Sequence, residues 1–186
     1  RFTSTKIDTE ITVLKSESKP LRNRTPVHLH LGAADITARV VTLDGQEIHP
    51  GNSGLVQLQL NSPVNTVFGD RFVLRDQSAF RTLGGGRIID PTPITKGRSK
   101  PARLSYLKAQ LIGDVNHAFR EILSLGLDDF DLGAFIQARN LGAPEVNKML
   151  EEVDCVVLDY DHGKTAFSKA RWQEVTEGIE QTCKSF

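Results

Sequence analysis

Apolar and polar positions alternate in short runs through residues 1–90. Ile7, Ile11 and Val13 alternate with polar neighbours, and Val27-His28-Leu29-His30-Leu31 alternates strictly. Ile36 to Leu43 is rich in β-branched residues, with Ala38, Val40 and Thr42 on one face. From Leu55 to Leu60 the pattern places Val56, Leu58 and Leu60 inward and Gln57 and Gln59 outward. Arg71–Arg75 and Arg87–Ile89 complete the set. A period of two over four to eight residues is the mark of strands with one buried face. Asp44-Gly45, Pro50-Gly51-Asn52-Ser53-Gly54, Asn61-Ser62-Pro63 and Gly69-Asp70 read as the turns between them. Short strands at regular spacing, with no helical segment among them, predict a closed β-barrel or a sandwich.

Residues 91–101 (PTPITKGRSKP) read as a linker, because three prolines fix φ and remove donors while the polar residues offer no face to bury. From Ala102 the period becomes 3.6. Leu104, Leu107 and Leu111 share a stripe. Asp114 is a candidate N-cap for a helix burying Val115, Ala118, Phe119, Ile122 and Leu125, which Gly126 ends. A third helix is expected over Leu132–Arg139, with Asp128, Asp129 and Asp131 as an acidic cluster at its start. Pro144 opens a fourth, continued by Glu145–Glu152. Val153–Asp159, the turn Asp161-His162-Gly163 and Thr165–Phe167 read as a hairpin, and Ala170–Cys183 as a final amphipathic helix carrying Trp172 inward. Helix, tight turn, helix, hairpin is the order of a winged helix-turn-helix. The expected organisation is therefore barrel 1–90, linker 91–101 and winged-helix domain 102–186.

Overall charge is zero, but its distribution is not uniform. Residues 1–100 carry 14 basic and 9 acidic side chains, and residues 101–186 carry 9 and 14. Such a split suggests two units with different partners. Lys15, Lys19, Arg22, Arg24, Arg75 and Arg81 form either a phosphate-binding surface or a solvated basic face. The helix Pro144–Glu152 holds Glu145, Glu151 and Glu152 against Lys148, which suits a spacer or protein contact better than nucleic-acid reading.

Other chemistry is sparse. His28 and His30 share one strand face, a spacing open to a metal with Asp35 or His49, to structural hydrogen bonding, or to RNA contact. No G-x-x-x-x-G-K-[ST] phosphate loop is present, Asn147-Lys148 lacks the Asp of a guanine-reading motif, and Gly84-Gly85-Gly86 stands at a strand start with no helix after it. Close backbone packing is the better account of that run. Cys155, expected in a buried strand, and Cys183 have no nearby base, so no catalytic residue is assigned. Two cysteines also suit a reducing compartment, hence the cytoplasm, and no apolar run approaches the roughly 18 residues of a membrane span. Opening on Arg in mid-pattern, the chain reads as an excised piece.

Certain stretches resemble known proteins. Gly69-Asp70-Arg71-Phe72-Val73-Leu74-Arg75 followed by Arg81-Thr82-Leu83-Gly84-Gly85-Gly86 is similar to the last barrel of the translation-factor GTPases, where elongation factor Tu has R-F-A-I-R and then R-T-V-G-A-G. Thr25–Val40, containing Pro26-Val27-His28-Leu29-His30 and Ala33-Ala34, resembles the selenocysteine-specific elongation factor family. So do Arg75–Leu83 and the basic linker Lys96–Pro101. The helical half matches the first winged helix of that family more weakly, through Asp131–Phe135, Arg139 and Ala170–Gln173. Departures are the longer Gly45–Gly54 hairpin and Pro91–Thr95.

The resemblance implies a non-catalytic part of a GTPase that delivers selenocysteyl-tRNA to the ribosome at recoded UGA codons. GTP and Mg²⁺ would belong to a domain outside this chain, and no cofactor or metal is expected within it. Further winged helices outside it would hold the mRNA hairpin. Implied tRNA contacts are Arg22, Arg24, His30, Arg75, Gln77, Ser78, Arg81 and Thr82, on a monomer without membrane attachment. Two alternatives stay open: a winged-helix DNA-binding regulator with a β effector domain, and a metal-dependent enzyme using His28 and His30.

Overall fold

The computed structural model describes residues 2–127, 130–161 and 163–184. Asp128, Asp129 and His162, invoked above at a helix start and a hairpin turn, lie outside the described residues. Contacts divide the chain into two compact units, Arg1–Leu107 with Ala138–Asn140, and Lys108–Gln137 with Leu141–Phe186.

The first unit is built on six strands: β1 (Phe2–Val13), β2 (Pro26–Leu31), β3 (Ala34–Thr42), β4 (Ser53–Thr66), β5 (Arg71–Arg75) and β6 (Thr82–Asp90). They close into an antiparallel barrel in the order β1-β4-β3-β2-β5-β6, which leaves no strand edge unpaired. Alternation fills its interior: Ile7, Ile11, Val27, Leu29, Val40, Val56, Leu58, Phe72, Leu74 and Ile88 are all buried in one cluster. Burying each such side chain contributes about 1.5–3 kcal/mol.

Three sequence expectations change. Asn61-Ser62-Pro63 is not a turn. β4 runs through it, and the register passes from Lys6↔Gln59 to Ser4↔Val64. Two steps on β1 therefore face five on β4, so these residues are the excess of a bulge, where Pro63 needs no ladder partner. Gln57 points away from the core yet is fully buried, because residues 91–95 lie over it: its Nε2 donates to Ile94 O at 3.2 Å. Gly84-Gly85-Gly86 lies inside β6. A Cβ on Gly84 would sit 2.3 Å from Thr12 O, and on Gly86 1.9 Å from Glu10 O. Only glycine lets β6 approach β1 so closely.

Helix α1 (Pro101–Gln110) spans the division between the two units. The second unit adds α2 (Val115–Ser124), α3 (Leu132–Ala138), α4 (Ala143–Glu152), a hairpin of β7 (Cys155–Tyr160) and β8 (Gly163–Ser168), and α5 (Lys169–Lys184). Asp114 caps α2 as expected, its Oδ1 accepting His117 N at 2.7 Å. Phe119 of α2 lies 6.0 Å from Phe130 and 5.8 Å from Phe135 between ring centroids. That triad, with Ile122, Met149 and Val153, is the buried centre of this unit. Cys155 is only half-buried, since its strand pairs on one side with β8 alone. α5 buries no residue completely. Trp172 is half-buried against Phe167, with centroids 5.9 Å apart. Among the described residues no helix is long and apolar enough to cross a membrane.

Candidate functional site

The antiparallel course of the barrel brings three connections to one end: residues 14–25, 43–52 and 76–81. The first two are fastened by a bridge between Leu21 and Ile48, each N–H donating to the other's carbonyl at 2.9 Å. Just after it the backbone of Arg24 turns with φ 65°, held by Arg24 N donating to Val40 O at 2.7 Å. The third connection is organised by Asp76. Its Oδ1 accepts the N–H of Phe80 at 3.1 Å and of Arg81 at 3.2 Å. Ala79, at φ 57°, donates back to Asp76 O at 2.8 Å. The N–H groups of Arg81 and Phe80, with the Ser78 hydroxyl, hold the Asp76 carboxyl below its ordinary pKa.

Between the first and third of these connections opens a cleft of about 330 Å³ lined by Lys19, Arg22, Gln77 and Arg81 over apolar Leu21 and Leu83. Two of its cations are aimed by carboxylates. Arg22 Nε pairs with Glu47 Oε2 at 2.8 Å, and Arg81 Nη2 with Glu17 Oε2 at 3.6 Å. The Glu17 side chain is only 7% exposed, against 56% for Arg81, so the acid sits beneath and the guanidinium faces water. Lys19 and Arg24 are exposed and have no carboxylate partner among the described residues.

Of the residues singled out in the sequence, Arg22, Gln77 and Arg81 meet at this cleft. Arg24 follows in the same connection, and Arg75 closes β5 beside it. Arg75 Nη1 donates to Ala79 O at 3.1 Å. Ser78 hydrogen-bonds inward to Asp76, and Thr82 is half-buried opposite Arg75. His30 is elsewhere. It lines a shallow groove of about 780 Å³ on the barrel flank, floored by Gly85 and Gly86 and bordered by Glu10, Arg71 and Val73. Its Nε2 is buried without a hydrogen bond, 3.8 Å from Asp35 Oδ1. His28 Nδ1 donates to the same carboxylate oxygen at 2.9 Å, which draws the Asp35 pKa down. Among the described residues no group of three His, Cys, Asp or Glu is placed to hold a metal ion.

Two features escaped sequence reasoning. Phe80, at the crest of the 76–81 loop, is 90% exposed. Its signal is an aromatic residue inside an otherwise polar turn, belonging to neither flanking alternation. The second is a buried ion cluster. Arg103, in the first turn of α1, reaches Asp8 Oδ2 at 2.7 Å and Asp90 Oδ2 at 2.5 Å. Gln57 Nε2 donates to Asp8 Oδ1 at 2.9 Å. One guanidinium faces two carboxylates, and burial pushes the Asp8 pKa up to about 6 although Arg103 pulls it down. Only long-range pairing joins residues 8, 90 and 103, so no local motif announces the cluster.

In the second unit, α4 presents few free cations. Lys148 pairs with Glu152 at 3.7 Å. Arg120 Nη2 donates to Glu152 O at 3.1 Å, and Glu145 Oε2 accepts Gly142 N at 2.7 Å at the helix start.

Comparison with known proteins converges on one family. Residues 8–95 match the model of the selenocysteine-specific elongation factor β-barrel domain. The selenocysteine-specific elongation factor of Desulfomicrobium baculatum is 40% identical over 90 residues, 48% of this chain and 14% of that protein. The factor of Escherichia coli K12 is 29% identical over 165 residues, 89% of this chain and 25% of its own length. That of Haemophilus influenzae is 26% identical over 137 residues, 74% of the chain and 22% of the relative. The chain thus spans a quarter or less of the relatives it matches. The six-stranded barrel coincides with the stretch that matches the β-barrel domain of the selenocysteine-specific elongation factors, and the chain is similar to those factors.

Proposed function

We propose that this chain is the tRNA-holding barrel and first winged-helix module of an elongation factor that delivers selenocysteyl-tRNA to the ribosome at recoded UGA codons. In the whole protein a GTPase domain would bind GTP and Mg²⁺, and further winged helices would bind an mRNA hairpin, all in the cytoplasm. This part positions RNA and performs no chemistry of its own. The observation that carries the reading is the convergence of Lys19, Arg22, Arg24, Arg75 and Arg81 at one barrel end, in a chain whose relatives are selenocysteine-specific elongation factors.

Cations on stiff supports neutralise phosphates and release counterions, which makes binding salt-dependent without reading sequence. Arg22 and Arg81 are already oriented by Glu47 and Glu17, so less side-chain freedom remains to be lost on binding. The helices and hairpin of the second unit follow one another in winged-helix order, and the acidic α4 favours a spacer over a nucleic-acid reader. The same acidity argues against a DNA-binding regulator.

Titrating the chain with a selenocysteine tRNA transcript across a salt series tests the reading. Binding should weaken steeply with salt, and Arg75→Ala with Arg81→Ala should lower the log–log slope by about two. A slope unmoved by both substitutions would place the contact elsewhere.

A further inference from the structure

Resting on the tRNA-contact reading above, we infer that Phe80 is the apolar anchor of the RNA footprint, its ring seated on the face of a nucleoside whose flanking phosphates are held by Arg75 and Arg81.

The ring has no structural role that explains it. At 90% exposed it stands apart from every other large apolar residue among the described ones, the next being Ile179 at 58% and Tyr160 at 53%. A phenyl group left in water gains free energy from any flat apolar partner. Its support is stiff. Asp76 accepts the N–H groups of both Phe80 and Arg81, and the loop closes on itself through Asp76 N donating to Arg81 O at 2.9 Å. Little freedom therefore remains to be lost when the ring is covered.

Its neighbours identify the partner. Arg75, just before the loop, is tied to it through the carbonyl of Ala79, at 3.1 Å. Arg81 follows Phe80 directly in the chain and projects into water above Glu17. An exposed aromatic ring in a loop that also carries two arginines matches the alternation of phosphate and nucleoside along a nucleic-acid strand. Rings interleaved with cations are the usual means by which a protein adds a salt-independent contact to a salt-dependent one. The arginines supply the electrostatic part and the phenyl ring the remainder.

These two parts separate experimentally. Affinity of the 186-residue chain for a selenocysteine tRNA transcript is measured by fluorescence anisotropy from low to physiological salt. Phe80→Ala should lose about tenfold at every salt concentration with the slope unchanged, the size expected for one aromatic contact. Phe80→Trp should keep wild-type affinity within about threefold, since any flat ring covers the same face. Arg75→Ala and Arg81→Ala should instead flatten the slope. Wild-type affinity in Phe80→Ala, with the arginine variants weakened, would overturn the inference and leave the tRNA-contact reading standing. So would an equal loss in the Ala and Trp variants, which would mark the loop rather than the ring. If the wild-type chain shows no salt-dependent binding at all, the underlying reading fails and the inference with it.

Discussion

The two units spend their charged residues in opposite ways. In the helical unit acids lead. Asp114 and Glu145 accept backbone N–H groups at helix starts, and several lysines pair with neighbouring acids, Lys164 with Asp159 at 3.0 Å and Lys169 with Asp154 at 2.6 Å. In the barrel unit bases lead. Carboxylates lie beneath or beside arginines and aim them outward, except where Asp8 and Asp90 draw Arg103 inside. Net charge alone would describe the pair as two mild patches of opposite sign. The geometry says more: one unit uses charge to finish its own helices, and the other stores oriented cations at a surface while holding one ion cluster in its interior.

The largest effect should come from that interior. Arg103→Met leaves two carboxylates side by side, Asp8 with the Gln57 amide and Asp90 with the Thr92 N–H as donors but no cation, and removing one partner of a buried ion cluster costs about 3–5 kcal/mol. Trp172 is the single tryptophan and lies in the helical unit, so its fluorescence reports that unit alone. Denaturation should show the barrel transition, followed by far-ultraviolet circular dichroism, shifting downward while the Trp172 transition stays. A common shift would erase the contrast.

Next comes pH. The pKa of Asp8, raised to about 6 by burial, exceeds the ordinary carboxylate value near 3.8 found in the unfolded chain. The folded barrel therefore binds the proton more tightly. This group's contribution is fully present below about pH 4 and is lost as pH rises through 6, amounting to up to about 3 kcal/mol. Between pH 7 and 5 the barrel should gain stability, and Asp8→Asn should flatten that rise without touching the Trp172 signal. The smallest effect lies in the other unit. Asp114→Ala should lower the Trp172 transition by about 1 kcal/mol, the usual worth of an N-cap, and leave the barrel unchanged.

Strand identity was legible because the barrel has one interior and period-two alternation reads directly onto it: Val27 and Leu29 in, His28 and His30 out. The Asp114 cap and the order of the later helices were legible for the same reason, as local chemistry. What stayed hidden depended on distant chain meeting. Gln57 obeys its alternation, yet residues 91–95 close over it and make it a buried donor. The bulge at residues 60–63 arises from a mismatch with β1 that no turn motif records. At the candidate site, composition singled out Arg22 and Arg81 but not Glu17 and Glu47, which aim them, and strand pattern put His30 on an outer face without saying that it lies over the glycine floor of another groove.

Closure of the barrel also bears on how the protein behaves when concentrated. A sheet joined to itself offers no row of bare backbone groups to a second copy, so self-association by strand addition has no foothold there. The β7–β8 hairpin is different. It is a two-stranded ribbon with Leu158 and Tyr160 exposed along β7. Stickiness during purification or long storage should begin at that ribbon, and a lysine placed at Leu158 is the change that would blunt it.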